Sequence, residues 1–272
     1  LPLGMFSSNP FMGNVVTGIL IAILIAGVIF GGIKRIGLVA GKIVPLMVLI
    51  YLLGGLGILI KNYDKLGSIF NLIITDAFTG NAVVGGIVGE VIRQGIRRAV
   101  FSNEAGLGTE VMAHGAAKTK EPVREGLVAM IGPFIDTILV CSITAFAILV
   151  SGVWNDPTLN GVSMTAKAFS NELGLLGEFI LFFSVLTFSV TTMFGQSYYG
   201  AKCTGFLFGS RWKVNYNWFY VLSTIFGATV SISIVINLID GMYAIMAIPT
   251  MVSTILLAPK VMKETRRYFS TL

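Results

Sequence analysis

Of the 272 residues, 55% are hydrophobic and only 12% are charged, about half the charged share of an ordinary soluble domain. That balance excludes a soluble globular chain and describes a polytopic membrane protein. The net charge of +6 does not read as a nucleic-acid surface, because the basic residues sit in short clusters between apolar segments, the pattern of membrane topology.

Seven segments approach the roughly 20 mainly apolar residues of a spanning helix. The first runs from about Gly13 to Gly32 and ends in Lys34-Arg35. The second runs from about Ile43 to Ile60, is entered through Pro45, and is followed by Lys61, Asp64, Lys65 and Asp76. The third, about Ala77 to Phe101, is rich in small residues. Thr109 to Lys120 reads as a short polar helix outside the bilayer core, joined to a charged connection. The fourth span, about Gly126 to Val150, holds Pro133 and Asp136, and Ser151 to Leu173 reads as a loop. The fifth, about Leu175 to Ala201, is rich in Ser and Thr. The sixth runs from about Trp218 to Asn237, and the seventh from about Met242 to Met262, interrupted by Pro249 and Pro259.

With the Lys34/Arg35 side taken as cytoplasmic, seven alternating spans also place Lys118, Lys120 and Arg124, then Lys202, Arg211 and Lys213, then the basic C-terminus in the cytoplasm. Only Lys61, Lys65 and Lys167 fall outside, together with Asp64, Asp76, Asp156, Glu172 and Asp240. The expected location is a cell membrane. The fold class expected is an all-α transmembrane bundle forming one domain over residues 1–272.

Smaller features read as structural. Cys141 and Cys203 are too few for a disulfide framework and are expected as buried small side chains. Gly27xxxGly31 and Gly85xxxGly89 have the spacing that lets helices approach closely. The lone histidine, His114, excludes a histidine-rich metal site and is expected at the surface. With no GxxxxGK[ST] loop and no nucleophile set, neither enzyme activity nor a resident cofactor is expected.

The anomaly is Arg97-Arg98-Ala99-Val100-Phe101-Ser102-Asn103-Glu104-Ala105-Gly106-Leu107-Gly108-Thr109, where an apolar segment runs into charge, amide and glycine. Polar side chains at membrane depth face protein or a water-filled cavity, and glycines let the backbone leave the helix. Two readings stand: an ion or solute site, or a cytoplasmic loop with a capped helix start. Glu90, Arg93, Arg97 and Arg98 read either as an ion-pair ladder at the rim or as a gate on the inner side. Asp136, an ionisable group mid-span, is either functional or a structural anchor for a neighbouring helix or an arginine. On the fifth span Ser184, Thr187 and Thr191 form one stripe, and Ser189, Thr192 and Gln196 form another. Their oxygens suit a hard cation such as Na+; the other reading has each hydroxyl bonded back to its own helix.

The segment Phe101-Ser102-Asn103-Glu104-Ala105-Gly106-Leu107-Gly108-Thr109 resembles the FSNEAGxGS signature of the alanine/glycine:cation symporters. The resemblance continues through Ala113-His114, Pro122-Val123, Phe134-Ile135-Asp136-Thr137, Cys141 and Ser197-Tyr198-Tyr199-Gly200, from about Gly31 to the C-terminus. Thr192 through Gly200 is similar to the family's TILGWSYYG block, with Thr192 matching and Gln196 in place of the Trp. That block's Thr and Trp line the amino-acid pocket in the family. The family's N-terminal GGPGA…FWMW region has no counterpart here, so the chain is expected to be a C-terminal fragment of a longer transporter.

The resemblance implies a LeuT-like inverted repeat, with residues 13–60 as the last two helices of the first repeat and 77–262 as the second five-helix repeat. The third span would be a discontinuous helix broken at Phe101 to Gly108, offering a half-helix N-terminus to a substrate carboxylate. The function implied is inward symport of alanine or glycine with Na+, H+ being the other candidate coupling ion. Thr192, Gln196, Phe101 and Ser189 are the expected substrate set, and Thr187, Thr191 and Ser184 the expected Na+ set. Arg97, Arg98, Asn103, Glu104 and Asp136 are expected as gate or structural polar groups. The competing reading is a seven-span receptor or a channel with no coupled transport.

Overall fold

The computed structural model describes residues 10–78, 87–104 and 106–271. Ten helices, a 3₁₀ turn at Val153–Asn155 and no strand occur among them: α1 (Pro10–Ile29), α2 (Gly32–Lys61), α3 (Tyr63–Phe78), α4 (Ile87–Asn103), α5 (Glu110–His114), α6 (Pro122–Ser151), α7 (Gly161–Leu173), α8 (Leu175–Phe208), α9 (Trp212–Gly227) and α10 (Ile232–Ser270). Five of these (α1, α2, α6, α8 and α10) are long and apolar enough to cross a membrane. The chain is therefore an all-helical, polytopic membrane protein.

Local chemistry sets the helix ends. α1 carries no charge along its 20 residues, and the chain turns into α2 at Gly32, whose φ of +67° favours glycine. Pro122 opens α6 with a φ already suited to a first turn, and Gly152, at φ +73°, closes it. Gly174 and Gly209, also at positive φ, separate α7 from α8 and α8 from α9.

Several elements depart from the hydropathy reading. Residues 161–173, expected as loop, form α7, an amphipathic helix with Ala168 and Phe169 wholly buried. The sixth and seventh spans were expected to part between 237 and 242, yet the break falls after Gly227, where Thr229 Oγ1 donates to the Phe226 carbonyl at 2.7 Å. α10 then runs unbroken through Pro249 and Pro259. Proline removes one helix hydrogen bond, the one that would reach the Ile245 carbonyl from position 249; beside it Thr250 Oγ1 donates to the Met246 carbonyl and Ser253 Oγ to the Pro249 carbonyl. The short helix expected over Thr109 to Lys120 is only the five residues of α5. Part of the third span, with Gly85xxxGly89, lies outside the described residues, and its described portion, α4, has 17 residues.

The chain divides into two compact units. The first comprises residues 1–44, 107–117 and 188–262. Its core joins Ala22, Ile25 and Ile29 of α1 to Val190 and Phe194 of α8 and Val221 of α9. α1 meets α9 at Gly18, where a methyl group would come within 3.0 Å of Ala228 Cβ. A methyl group at Gly27, by contrast, would meet nothing within 4 Å among the described residues, and the nearest atoms to one at Gly31 belong to Arg35 of the same chain segment, so no other described helix packs closely at this pair.

The second unit comprises 45–106, 118–187 and 263–272. Its core is Ile58 and Ile69 with Ala147, Val150 and Phe169. Tyr51 stacks on Phe169 with ring centroids 5.3 Å apart, and its hydroxyl donates to Thr144 Oγ1 at 2.5 Å, since Thr144 spends its own hydrogen on the Val140 carbonyl. Both cysteines are exposed rather than buried. Cys141 and Cys203 lie on helix faces that the described chain leaves uncovered, where lipid instead of protein can solvate a small thiol.

Candidate functional site

α4 ends at Asn103, inside the polar motif. Glu104 takes φ +51°, the one positive φ outside glycine among the described residues, and Gly106 and Gly108 follow at +80° and +79°. Such a run cannot continue a right-handed helix. The turn then sinks inward: Leu107 and Thr109 are only 3% and 4% exposed. At Gly108 any side chain would meet Thr250 Oγ1 at 2.8 Å, and the same Thr250 hydroxyl lies 3.2 Å from the Leu107 carbonyl. The glycine is thus required both by its dihedral and by the close approach of α10. The helix after the turn is α5, a single short turn, so the half-helix expected to face a substrate carboxylate is reduced to five residues.

Just before the turn, two motif side chains reach across to α6. Ser102 Oγ donates to Asp136 Oδ2. Asn103 Nδ2 donates to Thr137 Oγ1 at 2.8 Å, and Thr137 Oγ1 donates in return to Asn103 Oδ1 at 3.1 Å. Asn103, Asp136 and Thr137 are half-buried and Ser102 is exposed. Both α6 residues lie in Phe134–Cys141, where the helix is wound as a π-helix. Such segments are rare and concentrate at functional sites, because the wider turn re-aims side chains and loosens backbone bonds. The structure therefore brings together Asn103 and Asp136 from the expected polar set and adds Ser102 and Thr137.

On α8 the hydroxyl stripes separate. Leu181, Ser184, Thr187, Val190, Phe194 and Ser197 form one buried face, three or four residues apart, with Thr191 half-buried beside it. Ser189 and Thr192 lie on exposed positions, and Gln196 is half-buried. Ser184 Oγ donates to the Ile180 carbonyl at 2.7 Å, Thr191 Oγ1 to the Phe188 carbonyl at 3.1 Å, and Ser197 Oγ to the Phe194 carbonyl at 2.8 Å. These are bonds within one helix. A hydroxyl that gives its hydrogen to a carbonyl keeps its oxygen lone pairs, so the same groups can still ligate a hard cation.

Arg97 is half-buried and Arg98 exposed. The side chains of Phe101 and Glu90 lie outside the described set, so the Phe101 substrate contact and the Glu90 end of the ladder do too. Sequence reading missed a polar node between α2 and α7. Asn62, 7% exposed, donates to Glu172 Oε2 at 2.8 Å, while Lys61 Nζ donates to the Glu172 carbonyl at 2.6 Å. Both residues sit at helix ends, where polar side chains look unexceptional, so only their pairing reveals them. Thr250 was missed as well; its one signal is its place after Pro249 inside an apolar run.

The sodium:alanine symporter family model matches residues 4–272. The sodium/alanine symporter AgcS of Methanococcus maripaludis is 40% identical over 265 residues, which cover 96% of this chain and 58% of that protein. An uncharacterized transporter of Haemophilus influenzae is 37% identical over 262 residues, 94% of this chain and 58% of its own. The probable sodium/glutamine symporter GlnT of Bacillus subtilis is 33% identical over 262 residues, 96% of this chain and 55% of its own. The chain spans a little over half the length of these curated relatives. With a family match across nearly its whole length, it belongs to the sodium:alanine symporter family, a family of transporters rather than enzymes.

Proposed function

We propose that this chain is part of a secondary active symporter that carries a small neutral amino acid, alanine or glycine, inward with Na+ by alternating access. One observation carries the reading beyond family membership: the motif pair Ser102-Asn103 is hydrogen-bonded to Asp136-Thr137 in the π-wound part of α6. Four oxygen-bearing side chains at the end of one helix and inside an apolar second one form a polar node of the kind that marks ion and solute paths. Asp136 supplies a negative charge there, and Asn103 holds Thr137 in register.

In this reading Ser184, Thr187 and Thr191 on the buried face of α8 ligate the cation through their oxygens. Thr192, Gln196, Ser189 and Phe101 meet the amino acid, and Arg97 and Arg98 stand at the inner rim as gate groups. Separate faces for the two α8 stripes suit separate roles. The amide of Gln196 can exchange hydrogen bonds with a polar substrate where an indole could not accept one. The architecture proposed is a LeuT-like inverted repeat with seven spans here, residues 13–60 closing the first repeat and 77–262 forming the second, and with the Lys34/Arg35 side and C-terminus cytoplasmic. Na+ drives the cycle by binding the outward state better than the inward one.

The test is uptake of labelled alanine and glycine by proteoliposomes containing the full-length protein. Saturable uptake driven by a Na+ gradient is expected. A non-saturating current without solute accumulation would make the protein a channel, and uptake driven by a pH gradient alone would replace Na+ with H+.

A further inference from the structure

We propose that the connector ahead of α6 and the C-terminal end of α10 together form a seat for the phosphodiester head group of an anionic phospholipid. The connector opens a cleft of about 400 Å³ lined by Lys118, Thr119, Lys120, Arg124 and the carboxylates of Glu121 and Glu125, with Val128 as an apolar wall. The end of α10 is pinned to it across 146 residues of sequence: Arg267 Nη2 donates to Glu121 Oε2 at 2.8 Å. Arg267 Nε donates to Glu264 Oε2 at 2.7 Å.

The charges do not balance. One guanidinium, Arg267, engages two of the local carboxylates, Glu121 and Glu264. Lys118, Lys120 and Arg124 are exposed, as are Lys263 and Arg266 on the pinned tail, and none of the five makes an ion pair among the described residues. Lys118, Lys120 and Arg124 line the cleft, and Lys263 and Arg266 flank Arg267 on the helix end that is tied to Glu121; such a set of cations favours a multiply coordinated anion. The surroundings choose its source. The cleft stands at the start of one apolar span and beside the end of another, where a lipid head group would be met if those spans cross a bilayer. Val128 lines the cleft, and Leu127, Met130 and Ile131 continue an exposed apolar strip along α6. A free phosphate has no use for that strip, whereas acyl chains lie along it.

The seat is assembled by the Arg267–Glu121 pair, which separates it from simple attraction of a basic surface to anionic lipid. The experiment places the full-length protein in phosphatidylcholine nanodiscs doped with spin-labelled phosphatidylglycerol and reads the motionally restricted lipid. K118Q/K120Q/R124Q should weaken retention by about fivefold per charge removed, on the order of a hundredfold in all. The charge-conserving K118R/K120R/R124K should keep it, which rules out misfolding as the cause. E121Q makes the patch more positive yet frees the tail, so the assembled seat predicts weaker retention and bulk electrostatics predicts tighter. Unchanged retention in the triple glutamine variant, tightening in E121Q, or displacement of the lipid by inorganic phosphate at equal concentration would each overturn the proposal.

Discussion

The α4–α6 node and the buried face of α8 handle polar groups in an apolar setting in opposite ways. At the node, each side chain finds its partner on another helix, 34 residues away in sequence. On α8, Ser184, Thr191 and Ser197 find theirs three or four residues back on their own helix. Cross-helix bonds fix where two elements sit and register any change in either. Bonds within one helix fix little beyond a rotamer, but leave oxygens ready for a ligand. The first arrangement is a positional device, and the second sets rotamers along one helix.

Substitutions can set the two apart. The largest effect is expected at Asp136, the charged member of the cross-helix set. A hydrogen bond to a charged group is worth about 1.5–3 kcal/mol, so Asp136→Asn should lower the initial uptake rate of the full-length protein by about tenfold or more at equal surface expression. Next come Asn103→Ala and Thr137→Ala. If the node works as a unit, a double-mutant cycle in thermal unfolding should give a coupling of about 0.6–1 kcal/mol, whereas pairing either with Ser184→Ala should give additivity.

Ser184→Ala itself should cost less than about 0.5 kcal/mol of stability, because only a bond within its own helix is lost. It should still raise the half-saturating Na+ concentration several-fold. Loss of stability with no change in Na+ dependence would return that stripe to pure packing. The smallest effect lies outside the spans, in another local pair. Asp156 accepts from the Thr158 hydroxyl at 2.6 Å and from the Thr158 N–H at 2.9 Å, which holds its carboxyl below the usual carboxylate range. A lowered value means that any stabilisation it gives is present above the ordinary carboxylate pKa and fades as pH falls through the lowered one. Thr158→Val should move that fade to higher pH, as an NMR titration of the carboxyl carbon would show.

These differences track what hydropathy can and cannot see. Long uncharged runs such as α1, and the bulk of α2, α6 and α8, stand out because the apolar signal fills about 20 residues. α7 does not, because only one side of it is apolar, and the average over both sides resembles a loop. The boundary between α9 and α10 was misplaced because the polar Asp240 inside an apolar run looks like a loop, whereas the helix carries it without a break and turns earlier, after Gly227. At the node, Asn103 and Asp136 were visible as polar groups out of place. That Ser102 meets Asp136 and Asn103 meets Thr137 was not, since a bond across 34 residues leaves no periodic trace. The α8 stripe was legible from spacing alone, and its hydroxyls are held as local rules predict.

The π-wound stretch Phe134–Cys141 has a geometric result of its own. A residue added to or removed from a helix swings everything beyond it by about 100° around the axis. The azimuth of Asp136 relative to the buried Ala147 and Val150 below it is therefore set by the winding of this stretch as much as by which residues occupy it. Excising one residue between Ile138 and Cys141 would leave every side chain of the node chemically intact, yet turn its carboxylate to another compass bearing.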